Sequence, residues 1–259
     1  VVKFLENEND NVEKLFFDLA SESRMGILQG LSQKSMKMQE IGRTLDLSAT
    51  ETFRQLQRLS DDLIISKNVE GNYTLTQYGK FVLFLCPSFE VILKHKRYFL
   101  EHDIWQLPPQ FLYRIGDLSK AELRVDIPEN LNHVEEMIQN AQEYLWIITN
   151  RILDAHTRAM VERCKHGLKY RALFHQDLLP SVTSDFAIER CIERRYLPQT
   201  PGIVVVTEKE AVVSLPFIDG KSDYVGFFGK DLTFKNWVTD LYLHYWAQGK
   251  PWQPHSTTE

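Results

Sequence analysis

The sequence predicts an α+β protein: an N-terminal helical domain closed by a β-hairpin, a helical connector, and a C-terminal α/β domain with a mixed sheet. Three observations carry this. Helical apolar stripes and a hairpin signal follow one another between residues 12 and 85. Two more helical stripes flank Pro87. From residue 129 onward, helix-period and strand-period patterns alternate. With 259 residues, 43% hydrophobic and 25% charged, the chain has an ordinary globular composition and apolar content enough for two cores. The expected divisions are 1–76, 77–118 and 119–259.

In the first division, Leu15, Phe16, Leu19, Met25, Ile27, Leu28 and Leu31 read as amphipathic helix, with Gly26 and Gly30 as weak points. Met38 to Leu45 reads as a short helix, and Asp46-Leu47-Ser48 as the break after it. Ser48 suits the cap of a next helix starting at Ala49. There Thr52, Leu56, Leu59 and Leu63 share an inward face, leaving Thr50, Phe53, Arg54, Gln57 and Arg58 on others. Ile64 to Asn68 and Tyr73 to Leu75 then read as strands joined by a turn at Gly71-Asn72. Helix, helix, helix, hairpin is the order of a winged helix-turn-helix.

An exposed helix carrying Thr, Arg and Gln can set donors against phosphates and base edges in a major groove. The expected double-stranded-DNA contacts are therefore Ser48, Thr50, Phe53, Arg54, Gln57 and Arg58 on this helix, with Lys67, Asn72 and Tyr73 on the wing. The net charge of −5 is unevenly placed. Between Arg24 and Ser60, Arg24, Lys34, Lys37, Arg43, Arg54 and Arg58 outnumber Glu40, Asp46 and Glu51, whereas residues 1–23 are acidic. Local charge governs phosphate contact more than the whole-chain value.

The run Leu47-Ser48-Ala49-Thr50-Glu51-Thr52-Phe53-Arg54-Gln55-Leu56-Gln57-Arg58-Leu59, followed by Leu63-Ile64, resembles the recognition helix of archaeal winged-helix regulators of the ArsR-like type. Thr74-Leu75-Thr76-Gln77-Tyr78-Gly79 resembles their strand-to-helix exit. Phe53 departs from the small polar residue such helices carry there; it would pack on the wing or on a thymine methyl. A second stretch, His102-Asp103-Ile104-Trp105 through Pro108-Pro109 to Phe111-Leu112-Tyr113-Arg114-Ile115-Gly116-Asp117-Leu118, resembles the signature opening the C-terminal half of archaeal regulators of the methanogenesis-regulatory-protein type. Together the two cover most of residues 12–118. They imply a DNA-binding transcription regulator.

The connector carries Tyr78, Phe81, Val82 and Leu85 on one stripe. Pro87 is expected to stop or kink that helix, and Ser88 to cap another bearing Phe89, Ile92, Leu93, Phe99 and Leu100. So much apolar surface beside a small domain points to a homodimer joined through residues 78–100. Pro108-Pro109 reads as a rigid joint between domains.

In the second domain, helices are expected around Val134–Ala141, Ala159–Cys164, Phe186–Ile192 and Phe234–Tyr245. Strands are expected at Tyr144–Ile148, Leu168–Phe174, Ile203–Val206, Ala211–Leu215 and Tyr224–Phe228. This layout is similar to phospholipase D-like folds. The enzyme motif His-x-Lys-x-x-x-x-Asp is absent, since His166-Gly167-Leu168-Lys169 has one residue too many, so the resemblance implies the fold without catalysis. Gly229-Lys230 lacks the glycines of a P-loop. Cys164, Cys191, His166 and His175 have no compact metal-ligand spacing, and Cys164 and Cys191 are expected as buried free thiols on helix faces. No cofactor and no metal are expected. Loops after the first two strands of this domain offer Arg151, His175 and Asp177 as a site for a small anionic effector.

No apolar run reaches the ~18 residues of a membrane span. Val1 to Leu5 leads into acidic Glu6 to Asp10, so no signal peptide is expected, and the lack of an initiator Met suggests a trimmed start. The tail after Trp252 reads as disordered. Three sparse cysteines suit a reducing cytoplasm. The expectation is a cytoplasmic homodimeric regulator that is not an enzyme. The alternative is a protein-interaction adaptor whose winged helix does not bind DNA.

Overall fold

Asn11 and Ser21 each start a helix. In the computed structural model, which describes residues 11–181 and 191–252, the Asn11 side chain accepts from Lys14 N (2.9 Å) and caps α1, Val12–Leu19. Ser21 does the same for α2, Glu22–Gln33. The single stretch expected from Leu15 to Leu31 is therefore two helices, because the Ser21 hydroxyl satisfies the free N–H groups of a new start. A two-residue strand β1, Met36–Lys37, leads into α3, Met38–Thr44. Asp46 turns the chain with φ 52, and Ser48 caps α4, Ala49–Asp61, as expected.

Helix α4 buries Thr52, Gln55, Leu56 and Leu59. Leu63, expected on that face, is 70% exposed, because the helix has ended and Leu63 takes a left-handed φ of 57. Strands β2, Ile65–Lys67, and β3, Asn72–Leu75, form the hairpin; β1 adds to the other side of β3. Asn68 Oδ1 accepts from Glu70 N and Asn72 N, so the turn centres on Asn68–Gly71 and Asn72 already belongs to β3. Ile27, Leu28, Ile41, Leu56, Leu59 and Ile64 lie at the centre of the resulting core. Helices α2, α3 and α4 with the three-stranded sheet in this order make a winged helix-turn-helix.

The exit at Leu75-Thr76-Gln77-Tyr78-Gly79 has a steric cause. Thr76 Oγ1 donates to Leu63 O (2.6 Å) and accepts from Gly79 N (2.9 Å). A Cβ on Gly79 would lie 2.0 Å from Ile64 O, so only glycine lets the next helix leave the wing here. That helix, α5, runs Gln77–Lys94 with Pro87 inside it. The break expected at Pro87 does not occur. The helix carries Pro87 despite a cost of roughly 3 kcal/mol for an interior proline.

The chain divides into two compact units, Val1–Cys86 and Pro87–Glu259. The connector, expected as a region of its own over 77–118, is thus shared out, and from Pro87 it packs on the second core. Helices α6, Lys96–Glu101, and α7, Pro109–Leu112, lie there with two short 3-10 turns, Ile104–Gln106 and Ile115–Lys120. Pro108-Pro109 is not a joint. Pro109 opens α7, where a missing N–H costs nothing, and Leu107 and Phe111 on either side sit in the same core.

The second unit is a three-layer sandwich. Its strands are β4, Glu122–Arg124; β5, Tyr144–Thr149; β6, Lys169–His175; β7, Ile192–Leu197; β8, Ile203–Thr207; β9, Ala211–Ser214; β10, Gly226–Gly229; and β11, Lys250–Pro251. They pair in the order β11-β7-β6-β5-β8-β9-β10-β4, with β5, β6 and β7 mutually parallel and the remaining pairs antiparallel. On one face lie α8, Ile127–Asn140, and α9, Asp154–Lys165, over Leu145, Ala172 and Val205. On the other, α10, Leu232–Gln248, packs Phe234, Trp237, Leu241 and Tyr242 on Ile148, Leu173, Val204 and Phe227, together with the connector. No described helix is long and apolar enough to cross a membrane.

Two expectations change here. Ile192 begins β7 rather than ending a helix, and residues 186–190 of that expected helix lie outside the described residues, as does the tail from 253. Cys164 and Cys191 are not free thiols. They form a disulfide that joins the end of α9 to the start of β7, and Cys86 is buried and lies outside that bond. The reducing-compartment argument from cysteine usage therefore loses its basis.

Candidate nucleic-acid interface

Helix α4 presents Thr50, Phe53, Arg54 and Gln57 outward, a stripe with the period of one helix face. Ser48 at the cap is exposed as well. Arg54 pairs with Glu51 (2.8 Å) and Gln57 Nε2 donates to Asp61 (2.7 Å). Exposed pairs of this kind are worth about 0–1 kcal/mol, so a phosphate or base edge exchanges for them at little cost. Phe53 is 55% exposed. On the hairpin, Lys67 is exposed and Asn72 half-buried. Tyr73, expected among the contacts, is 7% exposed and belongs to the core, because register places it opposite Met36 and Lys67 with its ring inward. Lys67 Nζ lies 5.4 Å from its ring centre.

Arg58 differs from its neighbours. Its Nε donates to Asp18 (2.9 Å), whose side chain is 2% exposed, and its guanidinium covers the Phe17 ring at 4.4 Å. Arg24 is buried and donates to Asp18 O (2.5 Å), Phe17 O (2.6 Å) and Gln55 Oε1 (2.9 Å). It satisfies the free carbonyls at the end of α1. Burial pushes the Asp18 carboxyl up, Asp62 beside it adds to this, and Arg58 pulls it down. Burial, with Arg58 nearby, lowers the Arg24 guanidinium. Of the six basic residues counted in this segment, Arg24 is thus an internal brace, whereas Arg58 ties α4 to α1 through Asp18 with its side chain 45% exposed. Lys37, Arg43, Arg54 and Lys67 remain as outward cations, with Lys34 paired to Glu40.

In the second unit the three expected effector residues fall in two places. His175 and Asp177 meet (3.6 Å) at a cleft shared with Asn150, Gln199 and Thr200. Arg151 lines a separate cavity of about 340 Å3 between the sheet and α8 and α9. Arg194 and Tyr224 line that cavity too. Sequence reasoning passed over both. Arg194 sits in Ile192-Glu193-Arg194-Arg195-Tyr196-Leu197, where charges interrupt the apolar run that marks a buried strand; the signal was two cations amid alternating Ile, Tyr and Leu. His166 is exposed at the end of α9, with Nδ1 facing Glu162 O (2.9 Å). Among the described residues no group of three or more His, Cys, Asp or Glu is placed to hold a metal.

No family model matches the chain. It is similar to the methanogenesis regulatory protein FilR1 of Methanothrix harundinacea (strain 6Ac), with 23% identity over 245 residues, 92% of this chain and 54% of that protein. The chain thus spans about half the length of the curated relative it matches. Among solved structures it is similar to TrmBL2, described as an archaeal chromatin protein, with TM-score 0.44 and 14% identity, covering 89% of this chain and 93% of that one. It is also similar to Nuc of Salmonella typhimurium, a phospholipase D family member, with TM-score 0.37 and 13% identity over 49% of this chain and 93% of that one. Superpositions this loose define neither shared fold nor shared activity.

Proposed function

We propose that the protein is a DNA-binding transcription regulator that acts as a homodimer, in the cytoplasm, and responds to a small ligand in its second unit without catalysing a reaction. The winged helix with an outward Thr50/Phe53/Arg54/Gln57 stripe on α4 carries this reading. The likeness to a methanogenesis regulatory protein supports the regulatory role. One α4 per protomer would enter successive major grooves, with Ser48 and Lys67 on the backbone.

Arg54→Ala is expected to weaken duplex binding and leave stability unchanged. A lost base contact costs about 1–3 kcal/mol and relaxes sequence preference; a lost phosphate contact lowers the salt slope by about one. Arg58→Ala is expected to destabilise the first unit by about 1–3 kcal/mol, since it strands the buried Asp18 carboxylate. Gel shifts over a salt series, beside thermal melts, separate the two. Unchanged DNA affinity in an Arg54→Ala/Gln57→Ala variant would favour the adaptor reading.

Dimerisation rests on α5. Phe81, Phe84, Phe89 and Leu93 are 62%, 75%, 50% and 73% exposed along this one helix. Apolar surface of that density on a single element marks an interaction face, and a two-fold copy of the same helix matches it in length and chemistry. Phe84→Glu with Leu93→Glu is expected to give a folded monomer by light scattering at micromolar concentration. A wild-type monomer under those conditions would end this part of the reading.

A further inference from the structure

We propose that Phe53 reads the 5-methyl group of a thymine in the major groove. The inference deepens the DNA-binding reading above and rests on it. Phe53 is the fifth of the 13 residues of α4, in the half of a recognition helix that approaches base edges. Thr52, Gln55, Leu56 and Leu59 turn into the core, which leaves Phe53 facing outward and 55% exposed. A single exposed apolar residue is ordinary on a protein surface. This one stands inside a polar stripe, three positions after Thr50 and four before Gln57, with Arg54 beside it. The four line one groove of about 680 Å3 along α4, so a base edge entering it meets the ring and three hydrogen-bonding side chains together.

The chemistry of the major groove selects the contact. Guanine presents N7 and O6 there, adenine N7 and its amino group, cytosine its amino group, and thymine O4 beside a methyl. A phenyl ring makes no ordinary hydrogen bond. Set against a polar edge, it strips water from a donor or acceptor and returns nothing. Set against the methyl, it buries apolar surface on both partners. The flanking side chains supply the polar part of the same contact. The Thr50 hydroxyl donates or accepts, and Arg54 and Gln57 can donate to thymine O4 or to a neighbouring purine. Their pairings with Glu51 and Asp61 are exposed and exchange at little cost. A methyl contact displaces no counterion, so this preference is independent of salt, unlike the phosphate contacts around it.

The test uses the full chain and a duplex recovered by selecting bound fragments from a random pool. Each thymine is replaced in turn by deoxyuridine, which differs only in lacking the methyl, and affinity is measured by fluorescence anisotropy. One thymine in each bound site is expected to lose about three- to fivefold in affinity, the value of one buried methyl, and the others less than about twofold. The ratio of thymine to uracil affinity at that position should hold between about 50 and about 200 mM salt while both affinities fall. Phe53→Ala should weaken binding of the thymine duplex and bring thymine and uracil to equality there, with a thermal melt close to wild type. Phe53→Leu keeps an apolar group in place and should keep part of the preference. Duplex binding in which no thymine responds to loss of its methyl overturns the inference and leaves the DNA-binding reading intact. A uracil penalty that persists at full size in Phe53→Ala does the same. Failure to bind any duplex overturns the DNA-binding reading and this inference with it.

Discussion

Asp223→Ala is expected to destabilise the second unit by about 3–5 kcal/mol. Asp223 Oδ2 pairs with His102 Nε2 at 2.8 Å, with side chains 5% and 2% exposed. The other His102 nitrogen faces Tyr98 O at 2.7 Å, and its ring stacks on Tyr98 at 3.8 Å. Asp223 Oδ1 accepts from Tyr224 N (2.7 Å). The pair pins the connector to the loop before β10, in a setting with little water to replace a lost partner. Removing the carboxylate strands a buried imidazole and a backbone N–H together, whereas Asp223→Asn keeps an acceptor and should lose less than half as much. All five tryptophans lie beyond residue 86, so their fluorescence in urea follows this unit. An alanine variant within about 1 kcal/mol of wild type would show that the pair is not a fastening.

Breaking the Cys164–Cys191 disulfide should cost the same unit about 3.5 kcal/mol. The bond closes a loop of 27 residues, and the chain-entropy relation for that length gives a value of this size. It ties the end of α9, which carries Met160, to the start of β7, which carries Ile192 and Arg194. Cys164→Ser/Cys191→Ser, and wild type in reductant, should show the same lowered urea midpoint by tryptophan fluorescence. Cys86→Ser should not share it, since Cys86 forms no disulfide. Equal midpoints with and without reductant would mean the two thiols contribute nothing as a bond.

The His102–Leu118 stretch shows where legibility ended. Its pattern was plain in the sequence, and its physical task was not. In the structure Leu107, Phe111, Ile115 and Leu118 pack under α10, Trp237 Nε1 donates to Phe111 O (3.2 Å), and Arg114 pairs with Asp240 (2.7 Å). Every one of these partners lies more than a hundred positions away, and no local pattern announces a partner at that distance.

The sequence by itself determined what depends on neighbours along the chain. The winged helix was readable because capping at Ser48, the Thr52/Leu56/Leu59 face and the turn before Asn72 are all set within a few residues. Most strands of the second sheet were readable because Val-rich and Ile-rich runs bury on both faces in any sheet of this kind. Tertiary structure alone decided the rest. Arg58 and Arg54 look alike in sequence, and only the approach of α1 makes one a brace on Asp18 and leaves the other facing outward. Tyr73 turned inward because strand pairing, not composition, chooses its face. Pro87 lies inside a helix despite its local penalty. Arg151 follows β5 and His175 ends β6, its neighbour in the sheet, yet the two line different concavities. Long-range packing energies exceed the fraction of a kilocalorie by which local preferences usually differ, so wherever the two disagreed, packing prevailed.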